Sequence, residues 1–170
     1  SKAAEDAMYQ RKLLETRSLH SSIVASMQAA LFERSKETSA HAARLVQLSA
    51  ATALQLGLPD DQRTTLELFA VLHDIGKIAI DDKILNKPGP LTKEEWQEMQ
   101  QHSEIGYRIA LASPELFPIA EFVRSHHERW DGGGYPQGLA GEQIPLLARV
   151  LAVVDAYDAM TEDRPYRRAM

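Results

Sequence analysis

The chain has 170 residues, 44% of them apolar and 25% charged, with a formal net charge of −5 and no cysteine. That is enough chain for one domain with a sizeable core and not comfortably for two, and the acidic balance argues against a nucleic-acid coat or a membrane-surface protein, both of which need a basic face. Without cysteine there are no disulfides, thiolate ligands or thiol nucleophiles. With no apolar run near the ~20 residues of a membrane span and no signal-peptide pattern, the chain is expected in the cytoplasm and without membrane contact.

The elements follow in order. Residues 1–52 are almost free of Gly and Pro, and Leu13, Leu14, Leu19, Ile23, Met27, Ala30 and Leu31 recur at threes and fours. The spacing predicts a long helix, interrupted near Glu33 to Lys36, then a second through Leu56. Gly57-Leu58-Pro59 ends it, Asp60 or Asp61 caps a helix over Gln62 to Ile75, and Gly76 stops that one. Lys77 to Leu91 reads as a long loop. Thr92 and Glu95 form a capping box that opens a helix to about Leu111. Ser113-Pro114 opens another that carries His126 and His127. Asp131 to Pro136 is irregular, and Ile144-Pro145 starts a last apolar helix to about Met160. No strand is expected. The fold class is all-α, a compact multi-helix bundle.

Six histidines are spread along these helices. Glu37 and His41, spaced i, i+4, share a helix face and can hold one ion together, although alone they read as a surface hydrogen-bonded pair. His73-Asp74 ends the apolar run Leu66 to Leu72, and burying both is costly unless they are paired or bound to metal. An ion pair between them is the plain alternative. Helical neighbours diverge by about 100°, however, which favours a shared third partner. His126-His127 has the same divergence, suited to two different ions. Asp155 follows the apolar stretch Leu151 to Val154 and also needs a partner, whereas His102 alone reads as a cation near a helix C-terminus.

Together these supply five imidazoles and three carboxylates, too few for two or three octahedral shells unless carboxylates bridge and water or substrate fills the gaps. Open positions are what a catalytic centre needs. Nitrogen and oxygen ligands suit Fe, Mn, Ni or Zn, and several ions suit in-line attack on a phosphodiester. Lys77 is either a solvated helix-terminal lysine or a cation set against charge on a leaving oxygen. Arg164, Arg167 and Arg168 are either surface charge or a phosphate clamp.

His73-Asp74-Ile75-Gly76-Lys77, His126-His127-Glu128-Arg129-Trp130-Asp131-Gly132, Gly134-Tyr135-Pro136 and Asp163-Arg164-Pro165-Tyr166 together resemble an HD-GYP domain. This is a bacterial subfamily of HD-superfamily phosphohydrolases that cleave cyclic di-GMP. The resemblance spans about Leu31 to Met170. It implies Glu37, His41, His73, Asp74, His102, His126, His127 and Asp155 as metal ligands, with Asp74 the catalytic bridge between ions. It further implies two or three divalent ions, Fe or Mn foremost and Ni or Zn as alternatives; a glutamate at position 37 resembles the trinuclear kind. Lys77 matches the catalytic lysine, Tyr135 a substrate-facing loop, and Arg164 and Arg167 phosphate-binding positions.

The family continues through further helices past Met170, so residues 31–170 read as a C-terminally truncated domain. Ala4 to Lys12 resembles the final helix of a GGDEF (diguanylate cyclase) domain, which makes residues 1–30 a linker helix from an upstream GGDEF or sensory module. The apolar stripe of that helix needs covering, either by a second chain in a homodimer or by its own domain. The implied activity is hydrolysis of cyclic di-GMP to pGpG and onward to GMP. Two alternatives stand beside it: a cyclic dinucleotide receptor or regulatory module using the Gly134-Tyr135-Pro136 loop, and a phosphohydrolase of another cyclic dinucleotide. None of these takes a nucleic-acid polymer.

Overall fold

Leu45, Ser49 and Ala53 recur at fours along Ser39–Gln55 and all are buried, which gives that segment one inward face and makes it helix α2. It is preceded by α1, residues 22–34; the computed structural model describes residues 22–34 and 39–161. Leu31 of α1 is buried, and Val24 and Met27 pack beside it on the core, so this part of the N-terminal stripe is covered by the chain's own domain. His20, Glu37, Arg164, Arg167, Arg168 and the rest of the linker stripe lie outside the described residues.

Helix α3 (Asp60–Leu72) starts at Pro59, which occupies the N-cap. Asp60 and Asp61, expected as caps, sit within the first turn instead, where their charge complements the helix dipole. α3 ends three residues earlier than the periodicity suggests. Asp74 leaves helical geometry (φ −99°, ψ 13°), and a 3-10 turn over Ile75–Ala79 follows. The expected loop also holds a short helix α4 (Asp82–Leu85), capped by the Asp81 carboxylate, which accepts from the Lys83 N–H at 2.8 Å. Four residues are too few to register as a helical period.

Thr92 and Glu95 close the expected capping box at the start of α5 (Lys93–Leu111). The Glu95 N–H donates to Thr92 Oγ1 at 3.2 Å and the Thr92 N–H to Glu95 Oε2 at 2.7 Å. After a 3-10 turn at Phe117–Ile119 comes the short α6 (Ala120–Ser125), so His126 caps that helix and His127 lies just beyond it. α7 (Leu146–Thr161) buries Leu147, Leu151, Val154 and Asp158 along one stripe.

α2 packs against α3 and α7, and α5 against α6 and the 75–79 turn. Phe69, Leu66, Leu72, Leu116 and Val123 fill the centre with no exposure, each such side chain contributing roughly 1.5–3 kcal/mol by leaving water. Arg34 ties α1 to the 3-10 turn by donating to the carbonyls of Ile78 and Ile80. The fold is an all-α bundle. Among the described residues the one extended pairing is an isolated bridge between Asp131 and Ala140, and no helix is long and apolar enough to cross a membrane.

Candidate metal centre

The ends of α3 and α6 and the middle of α5 meet around one carboxylate. Asp74, 5% exposed, has Oδ2 at 3.1 Å from His73 Nε2 and Oδ1 at 3.2 Å and 3.5 Å from the Nε2 atoms of His102 and His126. His73 and Asp74 thus meet although they are sequence neighbours. The divergence expected of helical neighbours does not apply, because the chain unwinds at Asp74. His102 is not a C-terminal cation: it lies mid-helix in α5 and is 1% exposed.

Three of the rings share one orienting device. Nδ1–H of His73 donates to the Ala70 carbonyl at 3.0 Å, that of His102 to Met99 at 2.6 Å, and that of His126 to Val123 at 2.6 Å. Each acceptor is three residues back in the ring's own helix, and each bond places a proton on Nδ1, so that in the neutral ring Nε2 carries the lone pair. In their neutral forms these rings turn lone pairs toward an anionic carboxylate, and the Nε2 atoms of His102 and His126 face each other at 3.3 Å. Among the described residues Asp74 Oδ1 has no hydrogen-bond donor. Acceptors arranged against acceptors in a buried site are unfavourable unless a cation sits between them.

Asp74, His102, His126 and His127 each offer an atom within 4.8 Å of the others'. Nitrogen and oxygen ligands stand about 4 Å apart across an ion at ~2.1 Å, so a small contraction closes the set. The donor chemistry fits a divalent cation. Burial, and after it the neighbouring His126, depresses His127 to a pKa of about 2, and burial depresses His126 as well; both rings are neutral and ready to ligate. Burial works against the charge on Asp74, but the Lys77 ammonium, its strongest opponent, leaves the carboxyl well below the usual range. Lys77 Nζ stands 2.7 Å from Asp74 Oδ2. It comes there from the 3-10 turn rather than from a continued α3 face.

A second group adjoins the first, with the His41 ring centroid 6.5 Å from that of His73. His41 Nε2 is 3.7 Å from Asp155 Oδ1, while its Nδ1 is 2.7 Å from Asp158 Oδ2.

Residues 20–170 match the family described as HD domain. The chain belongs to the HD-domain family. Among similar proteins, a "Cyclic di-GMP phosphodiesterase" of Thermotoga maritima is 47% identical over 79% of this chain and 37% of its own length. The "Cyclic di-GMP phosphodiesterase response regulator RpfG" of Xanthomonas campestris is 46% identical over 78% of this chain and 35% of its own. The "3'3'-cGAMP-specific phosphodiesterase 2" of Vibrio cholerae is 38% identical over 91% and 30%. The chain spans 30–37% of the length of these curated relatives.

In this HD domain the irregular loop after His127 carries Tyr135 to the mouth of the centre. The Tyr135 ring lies 4.8 Å from the His127 ring and edge-on to Trp96 at 6.3 Å. Burial pushes the phenol's pKa up, so it stays a donor. Sequence reasoning gave Glu128 no role, yet it holds this loop. Buried at 6% exposure, it accepts the N–H groups of Gln137 at 2.7 Å and Leu139 at 2.9 Å. Gly134 passes so near the preceding segment that a Cβ there would meet the Arg129 nitrogen at 2.3 Å. Asp158 was missed too, although the spacing of Leu147, Leu151 and Val154 carries straight to it. Asp155, expected to be buried, has a side chain 38% exposed, and it is Asp158 that is buried.

Proposed function

We propose that this domain hydrolyses the phosphodiester bonds of a cyclic dinucleotide, cyclic di-GMP foremost, giving pGpG and then GMP. The observation that carries the reading is the buried Asp74 carboxylate, whose Oδ1 has no donor among the described residues, beneath three imidazoles that aim Nε2 at it. His73, Asp74, His102, His126 and His127 would hold one part of the centre, and His41, Asp155 and Glu37 a further part. Bound divalent ions, Fe or Mn foremost, supply Lewis acidity at the phosphoryl oxygen and a nucleophile at neutral pH.

The protein's own groups do the rest. Lys77 presents an ammonium beside Asp74, placed to offset charge that develops on a leaving oxygen. Tyr135 and Trp96 offer aromatic faces at the mouth of the site, the surface on which a nucleobase stacks. Arg164 and Arg167 are the groups we assign to phosphate, for which a guanidinium fork is suited. The names of the relatives, for both cyclic di-GMP and 3'3'-cGAMP, support the substrate class.

The test is elemental analysis of the purified chain together with hydrolysis of cyclic di-GMP and of 3'3'-cGAMP. Bound Fe or Mn and turnover of cyclic di-GMP, both abolished by Asp74→Ala, are expected. A metal-bearing protein that binds cyclic di-GMP without cleaving it would make the domain a receptor instead.

A further inference from the structure

Asp158 sits on α7, 1% exposed, against the Nδ1 edge of His41, whose Nε2 edge faces Asp155. A carboxylate that deep is costly unless paired and hydrogen-bonded. Arg44 of α2 supplies the pairing: its Nε donates to Oδ1 at 2.5 Å and its Nη2 to Oδ2 at 3.1 Å. Oδ2 is left turned toward His41 Nδ1 at 2.7 Å. An ionised carboxylate can only accept, so this contact puts an imidazole proton on Nδ1, and in the neutral ring the Nε2 lone pair lies on the side of Asp155.

The result is the orientation that His73, His102 and His126 obtain from a carbonyl in their own helices. His41 obtains it from a helix more than a hundred residues away in sequence. An Arg–Asp pair serving only to join α2 to α7 would not require a carboxylate oxygen at hydrogen-bond distance from the imidazole.

We propose that Asp158, held in place by Arg44, is a positioning residue that fixes the tautomer and aim of His41 toward the metal centre. The proposal rests on the reading of the His/Asp cluster as a metal centre. Such supporting carboxylates typically set metal affinity by 10–100-fold when removed.

The experiment uses the whole chain, metal-free and 15N-labelled, followed by titration with Mn2+. In the unmodified protein the His41 imidazole, assigned by its loss in His41→Gln, should carry its proton on Nδ1. In Asp158→Asn the Arg44 guanidinium claims the amide oxygen, the amide NH2 confronts Nδ1, and the proton should move to Nε2. One Mn2+ site should then weaken about 10–100-fold while the site around Asp74 keeps its affinity and the circular dichroism is unchanged. Arg44→Lys, which keeps a cation against Asp158 and spares the contact with His41, should keep the tautomer and most of the affinity.

His41 protonated on Nε2 in the unmodified protein overturns the proposal without recourse to any variant. Equal Mn2+ binding by Asp158→Asn and the unmodified protein overturns the proposal alone. An unmodified protein that takes up no Mn2+ overturns the metal-centre reading, and this proposal with it.

Discussion

A Cβ placed on Gly76 would stand 1.9 Å from the carbonyl oxygen of His102, far inside any real contact. The 3-10 turn after Asp74 and the middle of α5 therefore touch backbone to backbone, and this contact sets how far His102 lies from the carboxylate it faces. Gly76→Ala must push α5 away. The expected cost is about 3 kcal/mol or more, the upper range for overpacking, with metal content falling because His102 withdraws. Urea unfolding with elemental analysis reads both, and a variant of normal stability and full metal content would contradict the account.

The metal-free protein should lose stability on acidification. Burial holds His127 at about 2 and keeps His126 below its ordinary 6.5. A folded-state pKa below the unfolded one means that the unfolded chain binds more protons, so this contribution is complete above about pH 6.5 and is lost as pH falls below it. Between pH 6 and 5 His127 should contribute a slope approaching about 1.4 kcal/mol per pH unit, with His126 adding in the same direction. His127→Gln should flatten it. Urea midpoints from pH 8 to 5 in the presence of chelator measure the effect; stability that rises on acidification would show the sign to be wrong.

Glu128→Gln should loosen the Tyr135 loop and leave the metal in place. The Gln137 and Leu139 N–H groups each use a different carboxylate oxygen, and the amide NH2 that replaces one of them can only donate. A buried donor without its acceptor costs about 1–3 kcal/mol. Hydrogen exchange over residues 131–140 should quicken, and KM should rise more than kcat falls.

Lys77→Met should lower kcat by roughly 10²–10³, as for loss of one preorganised charge donor, with little change in KM. The ammonium lies against Asp74 but is not a ligand, so metal content should persist. Elemental analysis beside steady-state kinetics separates the cases, and lost metal would make Lys77 a structural partner of Asp74.

What the sequence could reveal depended on how locally each feature was encoded. The Thr92–Glu95 box and the apolar stripe of α2 are set within a few residues, and they fold as their spacing suggests. The short α4 has no period to read. Asp155 looked buried because the residues before it are apolar, yet Val153 is 70% exposed while the stripe through Leu147, Leu151 and Val154 runs to Asp158. Applying the helical period rather than hydrophobic neighbourhood would have found it. Glu128 had no such signal. Its partners are backbone N–H groups nine and eleven residues on, and no side-chain pattern marks a carboxylate that binds main chain.

The bond from each Nδ1 to a carbonyl three residues behind it also bears on assembly. His73, His102 and His126 need only one turn of their own helix to be aimed, so these rings can be set before distant parts of the chain meet. Docking the three segments then brings rotamers already chosen to a common point, and little side-chain entropy remains to be lost when an ion arrives.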